Sequence, residues 1–357
     1  QWGGLYSESE LYKAAVRLYT KPLFDWRKAL SSSTDERTLY DFARRGLRNL
    51  HAVHSALANR RFHFRPGLAL HHNFNGKHRT LFVYPWEERL VDLLLYRLLN
   101  RRLNGWFSPD SYAYRLDGWG VDKCQRKVSG VIALAGGAPL YAVKRDISDY
   151  FGSIDHALLL AMLGDLVRPD DYLSDLLRER VRFRYMDRGV EQTAHQGIPF
   201  GAAIACFFAN VYLTGLDRAL GRIPGLRYMR YADDLLVLTQ DRAAAAAASD
   251  AIDAWLNDLR LLSNPKHEAE FLLATAPIPN EERFVHVGHF RHLGLDFRAG
   301  GGIGLSRDKG RKIRNLFKYA FRRRSGGFRR LKDPIKKARL AVDIANKVLD
   351  DGIRNVA

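Results

Sequence analysis

Cysteine is nearly absent from this sequence: Cys124 and Cys206 are the two among 357 residues. A disulfide scaffold and a clustered-thiolate zinc site both need more, so both are excluded. A reducing, cytoplasmic setting fits. Long apolar runs are also lacking. The first 50 residues are charged and amphipathic throughout, with no signal-like segment, and the chain opens on Gln1, which need not be the native start. One uncharged stretch, residues 197–216, is about as long as a spanning helix. It carries Pro199, Asn210 and glycines at its start, and it ends on Asp217-Arg218. That pattern reads as a buried helix behind a glycine-rich turn, with no membrane partner.

Acidic residues are in deficit. Lys and Arg number 57 against 39 Asp and Glu, a formal net charge of +18. Such an excess points to a polyanion, most commonly nucleic acid. It is concentrated at the end of the chain, where residues 306–357 hold 17 Lys and Arg against 5 Asp and Glu. Leu316, Phe317, Tyr319, Phe321 and Phe328 interleave with these cations at roughly helical spacing. Gly326-Gly327 and Pro334 are expected to break the segment into two or three helices. The expectation is a small basic helical unit lying along a duplex backbone, with the salt dependence that phosphate neutralisation brings.

The remainder is rich enough in apolar residues, 46% overall, to exclude wholesale disorder. Its length suggests two or three packed units. Residues 11–30, 38–59 and 86–102 read as amphipathic helices, and the alanine-rich 242–259 as another. Residues 79–84 and 139–147 read as strands. His286, His289 and His292 recur every third residue without an acidic companion, so polar surface is expected there rather than a metal site.

Two strand contexts carry carboxylates. The run ending Val143-Lys-Arg-Asp146-Ile-Ser-Asp149 delivers Asp146 at a strand end. In Tyr228-Met-Arg-Tyr231-Ala-Asp233-Asp234-Leu-Leu-Val-Leu238, two short apolar runs flank Tyr-Ala-Asp-Asp, the pattern of a tight hairpin with acids at its tip. A solvated turn would explain a lone Asp-Asp pair. Three carboxylates from adjacent strands could instead hold two Mg²⁺ ions about 3.5–4 Å apart and support in-line phosphoryl transfer.

At these residues the sequence resembles reverse transcriptases of the bacterial kind, similar to group II intron, retron and defence-associated enzymes. Asp146-Ile-Ser-Asp-Tyr-Phe-Gly-Ser-Ile-Asp-His, Gln196-Gly-Ile-Pro-Phe-Gly201 and Tyr231-Ala-Asp-Asp look like the family's motifs A, B and C. Residues 79–91 and Ser111-Tyr-Ala-Tyr-Arg115 resemble the fingers motifs upstream. Ser263-Asn-Pro-Lys266 looks like motif D, and His292-Leu-Gly-Leu the primer grip. The likeness runs in order from about residue 65 to residue 297.

The resemblance implies an α+β right-hand polymerase: N-terminal helices and fingers over 1–138, a palm with an antiparallel sheet over 139–297, with interleaving of part of the fingers left open, and a short basic helical thumb over 298–357. It implies Asp146, Asp233 and Asp234 as metal-binding carboxylates, with the carbonyl of Ile147 as a further ligand, for Mg²⁺ or Mn²⁺ in its place. Asp149 and Asp155 read as capping or structural. Phe151 falls at the steric-gate position that favours deoxynucleotides, with a plain core aromatic as the other reading. Gln196 and Gly197 would approach the incoming nucleotide, although Gln196 also reads as a turn-stabilising amide. Arg79 and Lys77 would clamp the triphosphate, and Lys266 would protonate the departing pyrophosphate or lie solvated.

The implied partners are an RNA template, a dedicated non-coding RNA in a bacterial antiviral or retron-type role, dNTPs and a DNA product. A homo-oligomer or partner protein stays open. So do template-independent or protein-primed synthesis and a non-polymerising RNA-binding scaffold.

Overall fold

The computed structural model describes residues 7–22, 25–31, 33–74, 77–116, 118–167, 171–279, 282–305 and 307–349. Four helices come first: α1 (Glu8–Thr20), α2 (Asp25–Leu30), α3 (Leu39–Arg44) and α4 (Gly46–Ala58). The hairpin β1 (Gly67–Phe74) and β2 (Lys77–Val83) leads into α5 (Trp86–Leu103) and α6 (Val121–Leu134). Next are β3 (Leu140–Asp146), α7 (Tyr150–Ser153), α8 (His156–Val167), α9 (Asp171–Val181), β4 (Arg184–Asp187) and β5 (Val190–Thr193). Then follow α10 (Ala203–Leu220), β6 (Arg227–Tyr231), β7 (Asp234–Thr239) and α11 (Arg242–Asp258). The chain closes with β8 (Ala269–Leu273), β9 (Val285–Val287), β10 (His289–His292), β11 (Leu295–Arg298), β12 (Ile303–Leu305), α12 (Arg307–Arg323), α13 (Ser325–Arg330) and α14 (Pro334–Lys347). The class is α+β.

These elements form two compact units. The first comprises residues 1–124 and 142–270; the second comprises 125–141 and 271–357. In the first, β7 lies between β6 and β3, and a separate sheet has the order β2-β1-β4-β5. Five consecutive residues of β7 after Asp234 are buried, because the strand is central and α11 packs against it. The uncharged stretch becomes α10, with thirteen buried residues. Among the described residues no helix is long and apolar enough to cross a membrane.

Several local expectations need correction. The helix expected over 11–30 stops at Thr20 and restarts at Asp25, because Pro22 lacks the N–H that would continue it. The helix expected over 38–59 divides at Arg45 into α3 and α4. α5 is buried on most of its circumference and is not a simple amphipathic helix. Its inward acids are answered by arginines: Arg65 Nε donates to Glu88 at 2.6 Å, and Arg180 Nε to Asp92 at 2.8 Å. The Arg180 guanidinium also lies 3.8 Å from the Tyr84 ring centre, so this buried charge is both paired and stacked.

In the second unit β8 and β9 pair in parallel, and β10, β11 and β12 form an antiparallel meander. His292 is 1% exposed at the end of β10, so the third histidine of the triplet is core rather than surface. The basic tail is helical as expected, but Gly326-Gly327 lie inside α13, and the breaks fall at Arg324 and at Leu331 to Asp333. No residue of α12 or α13 is buried. Residues 350–357 of the tail lie outside the described residues.

Candidate active site

The β6–β7 ladder pairs Tyr231 with Asp234, leaving Ala232 and Asp233 as a two-residue turn. Such turns need a positive φ at a central position to match the twist of their strands. Ala232 supplies it at φ +59°, although the left-handed region costs an L-residue about 1–2 kcal/mol. The Arg230 guanidinium holds the turn from below, with Nη1 donating to the Ala232 carbonyl at 3.0 Å. Beside the tip, the Ile147 N–H donates to the Asp233 carbonyl at 3.3 Å. The ends of β3 and of the hairpin are thereby brought side by side.

Both open onto one cavity of about 1070 Å³, whose lining includes Asp146, Ile147, Phe151, Asp233, Gln196 and Arg79. Burial, with the charges of Asp146 and Asp234 added, pushes the Asp233 carboxyl up to about 6, against the pull of its own backbone and of Arg79. A cation bound beside Asp233 would offset both the burial and the neighbouring negative charges. Asp234 is not part of the lining; its Oδ1 lies 3.9 Å from Lys144 Nζ.

Among the described residues no three His, Cys, Asp or Glu side chains form a metal cage by themselves. Zinc or calcium would want such a cage. Magnesium at a phosphoryl-transfer site takes one or two carboxylates and completes its shell with water and substrate phosphate. Asp146 and Asp233 facing one cavity meet that requirement.

Phe151 is the second residue of the short helix α7. Its ring meets Tyr114 at 6.0 Å and Phe200 at 5.7 Å, both edge to face. Tyr114 and Asp149 are themselves left-handed, at φ +58° and +40°, so with Ala232 three strained non-glycine residues gather around the site. The turn from Gln196 to Gly201 packs on this helix: the Gly197 N–H donates to Ile154 O and the Ile198 N–H to Phe151 O, each at 2.8 Å. A Cβ on Gly197 would lie 3.0 Å from the carbonyl oxygens of Phe151 and Gly152. Only glycine allows that approach.

The cavity residues fall within a stretch, residues 71–295, that matches the family of reverse transcriptases (RNA-dependent DNA polymerases) over well more than half of the chain. The chain belongs to the reverse transcriptase family. It is 22% identical over 207 residues to protein YkfC of Escherichia coli (strain K12), covering 49% of this chain and 54% of that protein. In structure it is similar to apo telomerase from Candida tropicalis truncated from its C-terminal domain. That likeness has a TM-score of 0.51 at 10% identity and covers 77% of this chain and 63% of the other. Telomerase from Candida albicans in complex with a TWJ fragment of telomeric RNA gives 0.52 at 11% identity, covering 78% and 55%. At such identities the likeness is one of fold. The chain spans less than two thirds of the length of each of these relatives.

The other residues singled out by the reverse transcriptase motifs divide. Gln196 lines the cavity, and its amide donates to the Ser153 carbonyl at 3.1 Å, bracing the turn. Asp155 caps α8, accepting from the Leu158 N–H at 3.0 Å, and it pairs with Arg260. Asp149 stands at the N-cap of α7 without a side-chain capping bond. Lys266 sits exposed on a turn and is not among the lining residues. The side chain of Lys77 lies outside the described residues. The sequence motifs passed over three participants: Tyr114, Arg230 and Asn264. Each stands inside a motif segment, Asn264 two positions before Lys266.

Proposed function

We propose that the cavity is the nucleotidyl-transfer site of an RNA-directed DNA polymerase. The observation that supports this most is the shared cavity itself: acids from a strand end and a hairpin tip face a cation, Arg79, and an aromatic ring, Phe151. In the reaction, a primer 3′-oxygen forms a bond to the α-phosphorus of a dNTP and the α–β phosphoanhydride bond breaks, releasing pyrophosphate. Asp146 and Asp233, with Asp234 beside them and the Ile147 carbonyl, would hold Mg²⁺. When bound, magnesium lowers the pKa of the attacking hydroxyl and offsets charge on the transferring phosphate.

The protein's own groups do the positioning. Arg79 meets the triphosphate from β2. Phe151, held by Tyr114 and Phe200, crowds the 2′ position, where an apolar ring excludes a hydroxyl and leaves it unsatisfied. Gly197 lets the turn backbone reach the sugar. Fingers, palm and thumb are assigned to 1–138, 139–297 and 298–357. The exposed basic helices α12 to α14 would take backbone phosphates of the template and product.

The finer reading is a bacterial antiviral or retron-type enzyme with a dedicated non-coding RNA. It rests on the motif resemblance alone; sequencing the nucleic acid that copurifies with the protein tests it. The activity is tested by Mg²⁺-dependent incorporation of labelled dNTPs on an RNA template with a DNA primer. Product complementary to the RNA supports the proposal. Synthesis that persists without template assigns the site to untemplated addition, and no incorporation leaves a nucleic-acid-binding scaffold.

A further inference from the structure

Asn264 is joined to Asp146 twice. Its main-chain N–H donates to the Asp146 carbonyl at 2.7 Å, and its side-chain Nδ2 donates to Asp146 Oδ2 at 3.0 Å. The opposite end of the amide is also fixed, since Oδ1 accepts from the Lys266 N–H at 3.3 Å. Flipping the amide would set oxygen against carboxylate and NH₂ against N–H, so one orientation alone is bonded. Neighbouring residues continue the seam: the Ser148 N–H donates to Leu262 O at 2.8 Å, and Ile147 bridges Ser263.

A carboxylate at a strand end turns freely about its last torsion, which has broad wells. A donor on one oxygen fixes its plane and leaves the other oxygen for the cavity, which Asp146 and Asn264 both line. The donor is neutral. It orients the carboxylate without cancelling the charge that a divalent cation would need, whereas a lysine here would compete with that cation.

We infer that Asn264 is the positioning residue for Asp146, setting the carboxylate so that Oδ1 is presented to a divalent cation. This rests on the polymerase reading above for the identity of the site. Groups that orient metal-binding carboxylates are worth about 10–100-fold in metal affinity or activity. A mere turn former would show no such effect.

The test uses the full chain and Asn264→Ser, which keeps an oxygen acceptor for the turn but is too short to reach Asp146. Asn264→Thr serves as a second variant should the first fail to fold. Mn²⁺ binding is measured by electron paramagnetic resonance without nucleotide, alongside thermal melting and the kcat and KM for dNTP. The inference expects unchanged melting, Mn²⁺ affinity about 10–100-fold weaker, kcat lowered by a similar factor and KM near that of the parent. Mn²⁺ affinity and kcat within twofold of the parent would overturn it, as would losses that merely follow a lowered melting temperature. Asn264-dependent Mn²⁺ binding in a parent that incorporates no dNTP would instead overturn the polymerase reading and leave the positioning role standing.

Discussion

Arg230 and Asp217 form a bidentate ion pair with no solvent exposure, Nε to Oδ1 at 2.7 Å and Nη2 to Oδ2 at 2.6 Å. The pair joins β6 to α10 directly beneath the Ala232-Asp233 turn. Tyr228 donates its hydroxyl to Asp217 at 2.8 Å, and Arg230 also donates to Ser111 Oγ at 2.9 Å. The same guanidinium that holds the turn is thus held by an acid from the neighbouring helix.

Removing one member of such a pair leaves a buried charge unanswered, at a cost of about 3–5 kcal/mol. Asp217→Asn is expected to lose stability on that scale in urea unfolding. The double variant Arg230→Met with Asp217→Leu should recover much of it. Its DNA synthesis should stay low, because the Ala232 carbonyl has lost its donor. Recovery of stability and synthesis together would show that the turn needs no such support.

Phe151→Ala should admit ribonucleotides. The preference for dNTP over rNTP, measured as a ratio of kcat/KM values, is expected to fall by about tenfold or more. An unchanged ratio would assign Phe151 to packing alone.

His156 donates Nε2–H to the Gly197 carbonyl at 2.6 Å from a buried position. Burial depresses its pKa below the ordinary value, with the Gly197 carbonyl opposing the shift. The unfolded chain therefore takes up this proton near pH 6.5, before the folded chain does. Between the two pKa values the unfolded state binds more protons, so stability is complete above about pH 6.5 and is lost as pH falls through the folded pKa. Urea midpoints from pH 8 to pH 5 should decline in the parent and decline less in His156→Gln. Equal slopes would remove His156 from the account.

Gly197 and Gly225 share a left-handed backbone, at φ +80° and +74°, but a Cβ on Gly225 would meet nothing within 4 Å. Gly225→Ala should cost about 1–2 kcal/mol for the backbone conformation alone. Gly197→Ala should cost more and should also raise the KM for dNTP. Similar effects of the two substitutions on synthesis would mean that the close approach at Gly197 has no bearing on the nucleotide.

Much of this arrangement was legible in the sequence, for particular reasons. β3 and the β6–β7 hairpin stand out because apolar runs lead into acids, and α10 because residues 197–216 carry no charge. Motif order singles out Asp146, Phe151, Gln196 and Asp233, and the structure lines one cavity with all four. What escaped depends on contacts between distant segments. Asn264 is a plausible turn residue on composition, and its bond to a carboxylate 118 positions earlier has no local sign. Arg230 gave a fainter signal: an arginine within an apolar strand asks for a buried acid, and Asp217 closes an otherwise uncharged stretch. His292 misled because a three-residue spacing says nothing about which strand face is covered. Pro22 is a local sign of the break between α1 and α2, although helical periodicity continues on either side of it.

The most direct measurement compares the parent with Asp233→Asn in dNTP incorporation on a primed RNA template, with RNA binding and melting temperature recorded on the same preparations. The account expects synthesis to disappear while RNA binding and melting stay close to the parent. Sustained synthesis by Asp233→Asn would contradict it.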